Sequence, residues 1–303
     1  EMSLEQLLNV EITTASRSKE RLSEAPATVI AISRQQIRER GYTSLHEVLN
    51  DLPGMHLSVA YGDNFFKNYW RGYRTNLQSP YLLMLDGTIY NHLYQSTADV
   101  LVAFPQSNVE RIEVVYGPAS SVYGANAFMG VINVITRSDA ETSGAKAETN
   151  LRVGTNHRYI ADATAFYKKD DLRVSLTARI EHGNLRDDGA FDRFEFTKDK
   201  YYASEGLWGG YASNRHIGGR FSSPIQHRGG DLRAYYHGAE LGVQYFSVKN
   251  GYGYTYPGDK GQAHPTWEKV DYAAYIRYRF DITDKVSSST LLRYRGSDIP
   301  GSN

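Results

Sequence analysis

The chain has no cysteine among its 303 residues, which removes thiol catalysis, zinc-thiolate sites and disulfides together and is compatible with an oxidising compartment. It has no excess of charge either: Lys+Arg and Asp+Glu each number 34. The strong positive field of a dedicated nucleic-acid binder is therefore missing, and nucleic acid is not an expected partner. Long apolar runs are absent too. No stretch approaches the ~18 apolar residues of a membrane helix, and mean hydropathy is −0.51. That leaves a soluble protein or a β-barrel whose strands conceal their apolar side by alternation. There is no HExxH pair, no GxxxxGK[ST] loop and no nucleophile motif, so no catalytic residue, cofactor or zinc site is expected. Trp (3) and Phe (11) are scarce, yet Tyr numbers 24, and Tyr suits a boundary where one end is apolar and the other wet. No signal peptide precedes Glu1, so the sequence reads as already processed.

In the first part of the chain, Pro26–Ile32 (PATVIAI) is a short β-branched run followed by Ser33-Arg34-Gln35-Gln36, a capping-box pattern that starts a helix ending at Gly41. Ser44 and Glu47 form a second capping-box pattern. Leu45, Val48, Leu49 and Leu52 then fall at helical spacing until Pro53-Gly54 stops the chain. Tyr81–Leu85 (YLLML) reads as a buried strand ending in the turn pair Asp86-Gly87, and Arg111–Val115 as another, with Ile112 and Val114 alternating with Glu113. A compact α+β domain is the simplest assembly of these pieces.

The ordered set of this helix, LPG, Arg71-Gly72, Asp86-Gly87, VERIEV with Arg111, Gly117-Pro118, Tyr123-Gly124 and Gly130-VINVIT resembles the plug domain of TonB-dependent outer-membrane receptors over residues 10–137. In that family a small domain blocks the lumen of a large β-barrel. The resemblance implies that Arg71, Gly72, Asp86, Gly87, Arg111, Gly117, Pro118, Gly124 and Gly130 are structural residues of the plug. Two departures are visible: Tyr116 stands where many plugs have Arg before Gly-Pro, and Met129 where many have the first of two glycines. The first is expected to remove one plug-to-barrel ion pair. Upstream, Val10, Glu11, Ile12, Thr13, Thr14 and Ala15 resemble a TonB box, which pairs with its partner by strand addition; an ordinary edge strand or N-terminal arm is the alternative.

From Ala145 onward the period changes to two. Ala147, Thr149, Leu151 and Val153 oppose Lys146, Glu148, Asn150 and Arg152, and Leu172, Val174, Leu176, Ala178 and Ile180 oppose Arg173, Ser175, Thr177, Arg179 and Glu181. The polar face is more charged than a protein core tolerates. Tyr159 and Tyr167 flank one strand, Tyr272, Tyr278 and Phe280 line another, and 235–245 reads as one face running from Tyr235 to Tyr245. A soluble β-sandwich also alternates. Tight connections at 169–171 and 281–285 alternate with long ones at 184–215 and 249–268, as periplasmic turns and extracellular loops would.

The expected fold class is therefore an α+β plug domain followed by antiparallel transmembrane β-barrel strands, part of a presumed 22-stranded barrel. The expected division is an N-terminal arm at 1–25, a plug at 26–138 and barrel at 139–303. A plugged barrel of about 22 strands needs ~220 residues before any loops, more than 139–303 supplies. About seven strands are readable there, so the sequence reads as part of a longer receptor.

Three predicted apical loops carry the candidate ligand contacts Phe65, Phe66, Asn76, Gln78, Tyr90, His92 and Tyr94, with packing as the alternative role. Asp187, Asp188, Asp192 and Asp199 form a candidate Ca²⁺ set of non-EF-hand spacing, with a solvated acidic loop as the alternative. By the resemblance, the partners are TonB with its inner-membrane energising complex, outer-membrane lipid and a small metal chelate. A ferric siderophore is the first cargo; cobalamin, haem or another metal complex, or a non-transporting receptor or assembly role, are the alternatives. The resemblance also implies a bacterial outer-membrane location.

Overall fold

The computed structural model describes residues 11, 12, 14, 20–21, 27–60, 65–74, 78–124, 127–137, 143–184, 224–251, 266–283 and 286–300. In chain order the strands are β1 (Glu11–Ile12), β2 (Glu20–Arg21), β3 (Thr28–Ser33), β4 (Met55–Ala60), β5 (Phe65–Trp70), β6 (Tyr73–Arg74), β7 (Leu82–Leu85), β8 (Thr88–Ile89), β9 (Val109–Tyr116) and β10 (Gly130–Thr136). Seven longer strands follow: β11 (Gly144–Val153), β12 (Tyr159–Lys169), β13 (Leu172–Asn184), β14 (Pro224–Tyr236), β15 (Ala239–Gly251), β16 (Thr266–Thr283) and β17 (Val286–Asp298). The helices are α1 (Arg34–Glu39), α2 (Leu45–Asn50), α3 (Val100–Ala103) and α4 (Ser120–Tyr123). The chain divides into two compact units, 1–57 with 67–102 and 106–142, and 58–66 with 103–105 and 143–303.

The first unit is built on a five-stranded sheet of order β3-β9-β10-β7-β8. Its middle is buried on both faces: β7 (LLML) is buried at every position and runs parallel to β10. Leu82, Met84, Val115, Ala119, Ala127 and Val131 form one cluster of this core. Ser33 caps α1 through a reciprocal box with Gln36. At α2 the box is only half made: Ser44 accepts from the Glu47 amide, while the Glu47 carboxylate turns to the amide and hydroxyl of Thr43. The Glu47 acceptor thus serves a donor one residue further out than the sequence pattern implies.

Burial lowers the His46 imidazole from its usual 6.5 to about 4, against the opposing pull of the Asp99 carboxylate. A histidine held neutral by the fold contributes stability that is complete above pH 6.5 and lost as the pH falls toward 4, since the unfolded chain binds the proton first. Part of the residue reaches solvent, so the loss is of order 2 kcal/mol rather than the ~3 kcal/mol of a wholly desolvated ring. Denaturant unfolding at pH 7 and 4.5 checks this, and His46→Gln flattens the dependence.

The second unit is an antiparallel sheet of seven strands in sequential order, β11 to β17, as the two-residue period predicts. Its exposure is inverted relative to a soluble protein. The exposed face carries Leu151 (77%), Val153 (90%), Leu176 (55%), Leu241 (56%) and Leu292 (72%), while Asp162, Arg179, Glu181, Asp231 and Asp271 on the other are each under 5% exposed. No sandwich core explains apolar side chains turned outward and charges turned in; a lipid-facing wall does. Tyr159 and Tyr167 bracket this face, eight residues apart, with Tyr245, Tyr278 and Tyr294 also exposed and Tyr272 half-buried.

The reading of 235–245 as one strand face is wrong. A hairpin at His237-Gly238, both at positive φ, ends β14 and starts β15, so Tyr235 pairs with Glu240 across the turn. Tyr235 lies on the polar face under the Arg173 guanidinium, 3.8 Å from the ring centroid. Tyr236, 57% exposed, takes the apolar-face position instead. The hairpin turns at 170–171 and 237–238 are two residues each; 185–223, 252–265 and 284–285 lie outside the described residues.

Candidate functional site

The most elaborate site among the described residues is built around one threonine of the predicted TonB box. Strand β1 pairs antiparallel with β2, Glu11 opposite Arg21 and Ile12 opposite Glu20. Two residues on, Thr14 is 1% exposed. Its amide donates to the Glu113 carboxylate at 2.8 Å, and its hydroxyl donates to the same oxygen. Asn133 Nδ2 donates to the Thr14 hydroxyl at 3.0 Å, and the Tyr123 hydroxyl donates to the Thr14 carbonyl. Glu113 and Asn133 stand opposite each other in the β9–β10 register. The other Glu113 oxygen takes the Arg111 guanidinium at 2.7 Å, and Asn133 Oδ1 accepts from the Gly87 amide at 3.1 Å. A segment about 100 positions away in sequence is thus clasped by the middle of the sheet. Val10, Thr13 and Ala15 lie outside the described residues.

Sequence reasoning missed Glu113, Tyr123 and Asn133. Alternation marked Glu113 only as the polar residue between Ile112 and Val114, with no role assigned, yet it is fully buried. The available signal was polarity in the wrong place: an Asn inside the β-branched run GVINVIT needs a buried partner.

The structural candidates cluster at turns. Arg71-Gly72 and Asp86-Gly87 adopt positive φ, and the Asp86 carboxylate accepts from the amide and hydroxyl of Thr136 at 2.8 Å each. The Tyr116 ring packs edge-on against Trp70 at 5.1 Å and under the Arg71 guanidinium at 5.0 Å. Burial raises its phenol, with Arg71 opposing. Gly117 and Gly124 take positive φ beside Pro118 and α4. Gly130 sits where a Cβ would overlap the Val115 carbonyl oxygen and stand 2.8 Å from the Trp70 ring.

The candidate ligand contacts fall apart into groups. Phe65 and Phe66 lie in strand β5, not in a loop. Asn76 lies outside the described residues, and Gln78 is exposed. Tyr90 and His92 are each 1% exposed, so neither presents a ring to solvent; Tyr94 is 82% exposed and its neighbour Leu93 58%. Asn91 ties this loop to the sheet, accepting from the Leu83 amide at 2.8 Å and donating to the Tyr81 carbonyl at 3.1 Å. Asp187, Asp188, Asp192 and Asp199 lie outside the described residues.

On the wall, Glu181 gathers Arg158 at 2.7 Å, Arg179 at 2.8 Å and His227 at 3.1 Å, with Asn250 on the far ring nitrogen of His227 at 2.7 Å. Similar pairs, Asp231 with Arg233 and Asp271 with Arg295, recur along the polar face. Mutual neutralisation keeps buried charges tolerable.

Residues 21–131 match the family TonB-dependent Receptor Plug Domain. The chain is 34% identical over 137 residues to the vitamin B12 transporter BtuB of Vibrio vulnificus, an alignment covering 44% of this chain and 21% of that protein. It is structurally similar to the pyoverdine outer-membrane receptor FpvA of Pseudomonas aeruginosa, with a TM-score of 0.66 and 16% identity over 96% of this chain and 40% of that one. The ferric enterobactin receptor PfeA of Pseudomonas aeruginosa gives a TM-score of 0.62 and 17% identity over 95% of this chain and 42% of that one. The chain therefore spans under half the length of these relatives, which are transporters and receptors rather than enzymes. With the plug match, the inverted exposure of the seven-stranded sheet and these likenesses together, the chain carries a segment matching the TonB-dependent receptor plug domain and is similar in fold to outer-membrane receptors of that kind.

Proposed function

We propose that this chain supplies the plug (26–138), the N-terminal arm (1–25) and part of the wall (139–303) of an active importer, and that TonB engages it at residues 10–15. Cargo docks on the plug and loops, occupancy is passed to the arm, and the inner-membrane complex supplies the work, since the outer membrane has no energy source of its own. The observation that carries this reading is the clasp on Thr14. A segment meant to be gripped by strand addition needs a defined resting place, and bonds to buried side chains of β9 and β10 provide one that a pull can break.

The proposed cargo is a ferric siderophore, the named ligand class of both structural neighbours. Cobalamin is the second reading, favoured by the 34% identity to a vitamin B12 transporter. Growth-linked uptake decides: cells limited for iron or cobalamin, with and without the receptor, are supplied with ferric enterobactin, ferric pyoverdine and cyanocobalamin in turn. Receptor-dependent growth on one class is expected; growth indifferent to the receptor on all three contradicts an import role for these cargoes.

A further inference from the structure

We propose that His92 is a positioning residue that fixes the Leu93–Tyr94 tip as a preformed ligand contact. This rests on the reading of that loop as a cargo surface. The His92 ring is buried, whereas Leu93 and Tyr94 beside it are exposed. Its Nδ1 accepts from the Tyr94 amide at 3.3 Å and the Gln95 amide at 3.2 Å. The main chain closes the same loop, His92 donating to Thr97 and Ser96 donating back to His92, both at 2.8 Å.

One side-chain acceptor holding the amides two and three residues ahead is the arrangement Asn and Asp make in Asx turns. Here the imidazole does it, with the ring proton left on Nε2. Nδ1 of His and Oδ1 of Asn lie the same number of bonds from the backbone, so Asn can replace the acceptor though not the ring. The consequence is a tip whose backbone is ordered before cargo arrives. A large exposed aromatic on an ordered turn offers a stacking face at little entropic cost, suited to flat conjugated groups such as catecholates or a corrin edge.

Two variants separate positioning from mere packing. His92→Phe fills the buried site but removes the acceptor; His92→Asn keeps the acceptor but leaves a void. Packing alone makes His92→Phe the better-behaved variant. Positioning reverses that order. With the receptor in detergent, chymotrypsin cleavage after Tyr94 is expected to rise in His92→Phe and stay at the wild-type level in His92→Asn, even if thermal stability ranks them oppositely. Titration with cyanocobalamin, ferric enterobactin and ferric pyoverdine is expected to show a loss of about 10-fold for His92→Phe and near-native binding for His92→Asn, the size expected for re-ordering one or two residues. Equal cleavage of all three proteins overturns the proposal. If Tyr94→Ala weakens binding and His92→Phe does not, His92 has no positioning role. If Tyr94→Ala leaves binding unchanged, the loop is not a cargo surface and the underlying reading fails, while the cleavage result still decides whether His92 orders the tip.

Discussion

A receptor lacking residues 10–15 binds its cargo with unchanged affinity and takes up none of it. Both halves of this expectation follow from where things are attached. The Leu93–Tyr94 tip hangs on β7 through Asn91, whereas Thr14 hangs on β9 and β10 through Glu113 and Asn133. Removing the second attachment leaves the first in place. A subtler variant, Thr14→Val, keeps the shape and loses the hydroxyl. A hydrogen bond to an ionised carboxylate contributes about 1.5–3 kcal/mol, so the balance between clasped and free arm shifts roughly 10- to 100-fold toward free. A nitroxide at position 12 is expected to report this as narrowed lines without added cargo. If the deletion strain imports normally, residues 10–15 do not couple the receptor to TonB; if neither the full receptor nor the deletion supports uptake, a non-transporting receptor or assembly role takes precedence.

Glu113→Ala carries a larger structural penalty than Thr14→Val. It removes the acceptor of the partly exposed Arg111 guanidinium and of both the amide and the hydroxyl of buried Thr14, whereas Thr14→Val loses the hydroxyl alone. A freed arm on an intact plug, as in Thr14→Val, is therefore distinguishable from a freed arm on a weakened one.

Much of this architecture was legible because barrel walls and plugs impose simple periods. Alternation over β11, β12 and β13 located the wall and told its two faces apart, since lipid on one side and polar groups on the other leave no room for irregularity. It failed at 235–245, where Tyr235, Ala239, Leu241 and Val243 keep step across a turn. The residues at the bend, His237-Gly238, lack the Asn-Gly or Asp-Gly pair that announces a hairpin. The site was less legible than the fold. Aromatics and a histidine in a loop signal recognition, but whether a ring points out, as Tyr94 does, or braces the loop from within, as His92 does, depends on neighbours such as Thr97 that composition does not reveal. The role of Glu113 was illegible for the same reason: its partner is 99 residues away, beyond any local pattern.

Gly130→Ala is expected to unfold the plug or lower its midpoint by more than 10 °C. A Cβ there overlaps the Val115 carbonyl oxygen and comes within 2.8 Å of two Trp70 ring atoms. Neither neighbour can yield. Val115 pairs with Val131 in the β9–β10 ladder, and Trp70 is fully buried, held by Tyr81 at 5.5 Å and Tyr116 at 5.1 Å. Overpacking a core that can adjust costs about 1–3 kcal/mol; here the adjustment must break a ladder or displace an indole, so the upper end is the starting point. For a domain of roughly 100 residues, 1 kcal/mol moves the midpoint by about 4–8 °C. Gly41→Ala is the matched control, because Gly41 has φ +68 with nothing within 4 Å of the added carbon, leaving only the left-handed strain of about 1–2 kcal/mol. Equal losses in the two variants would mean that backbone conformation, not close approach, fixes glycine at 130. A far larger loss at 130 would locate the constraint in the contact between β10 and the Trp70–Tyr116 stack, where Tyr116 stands in place of the family's arginine.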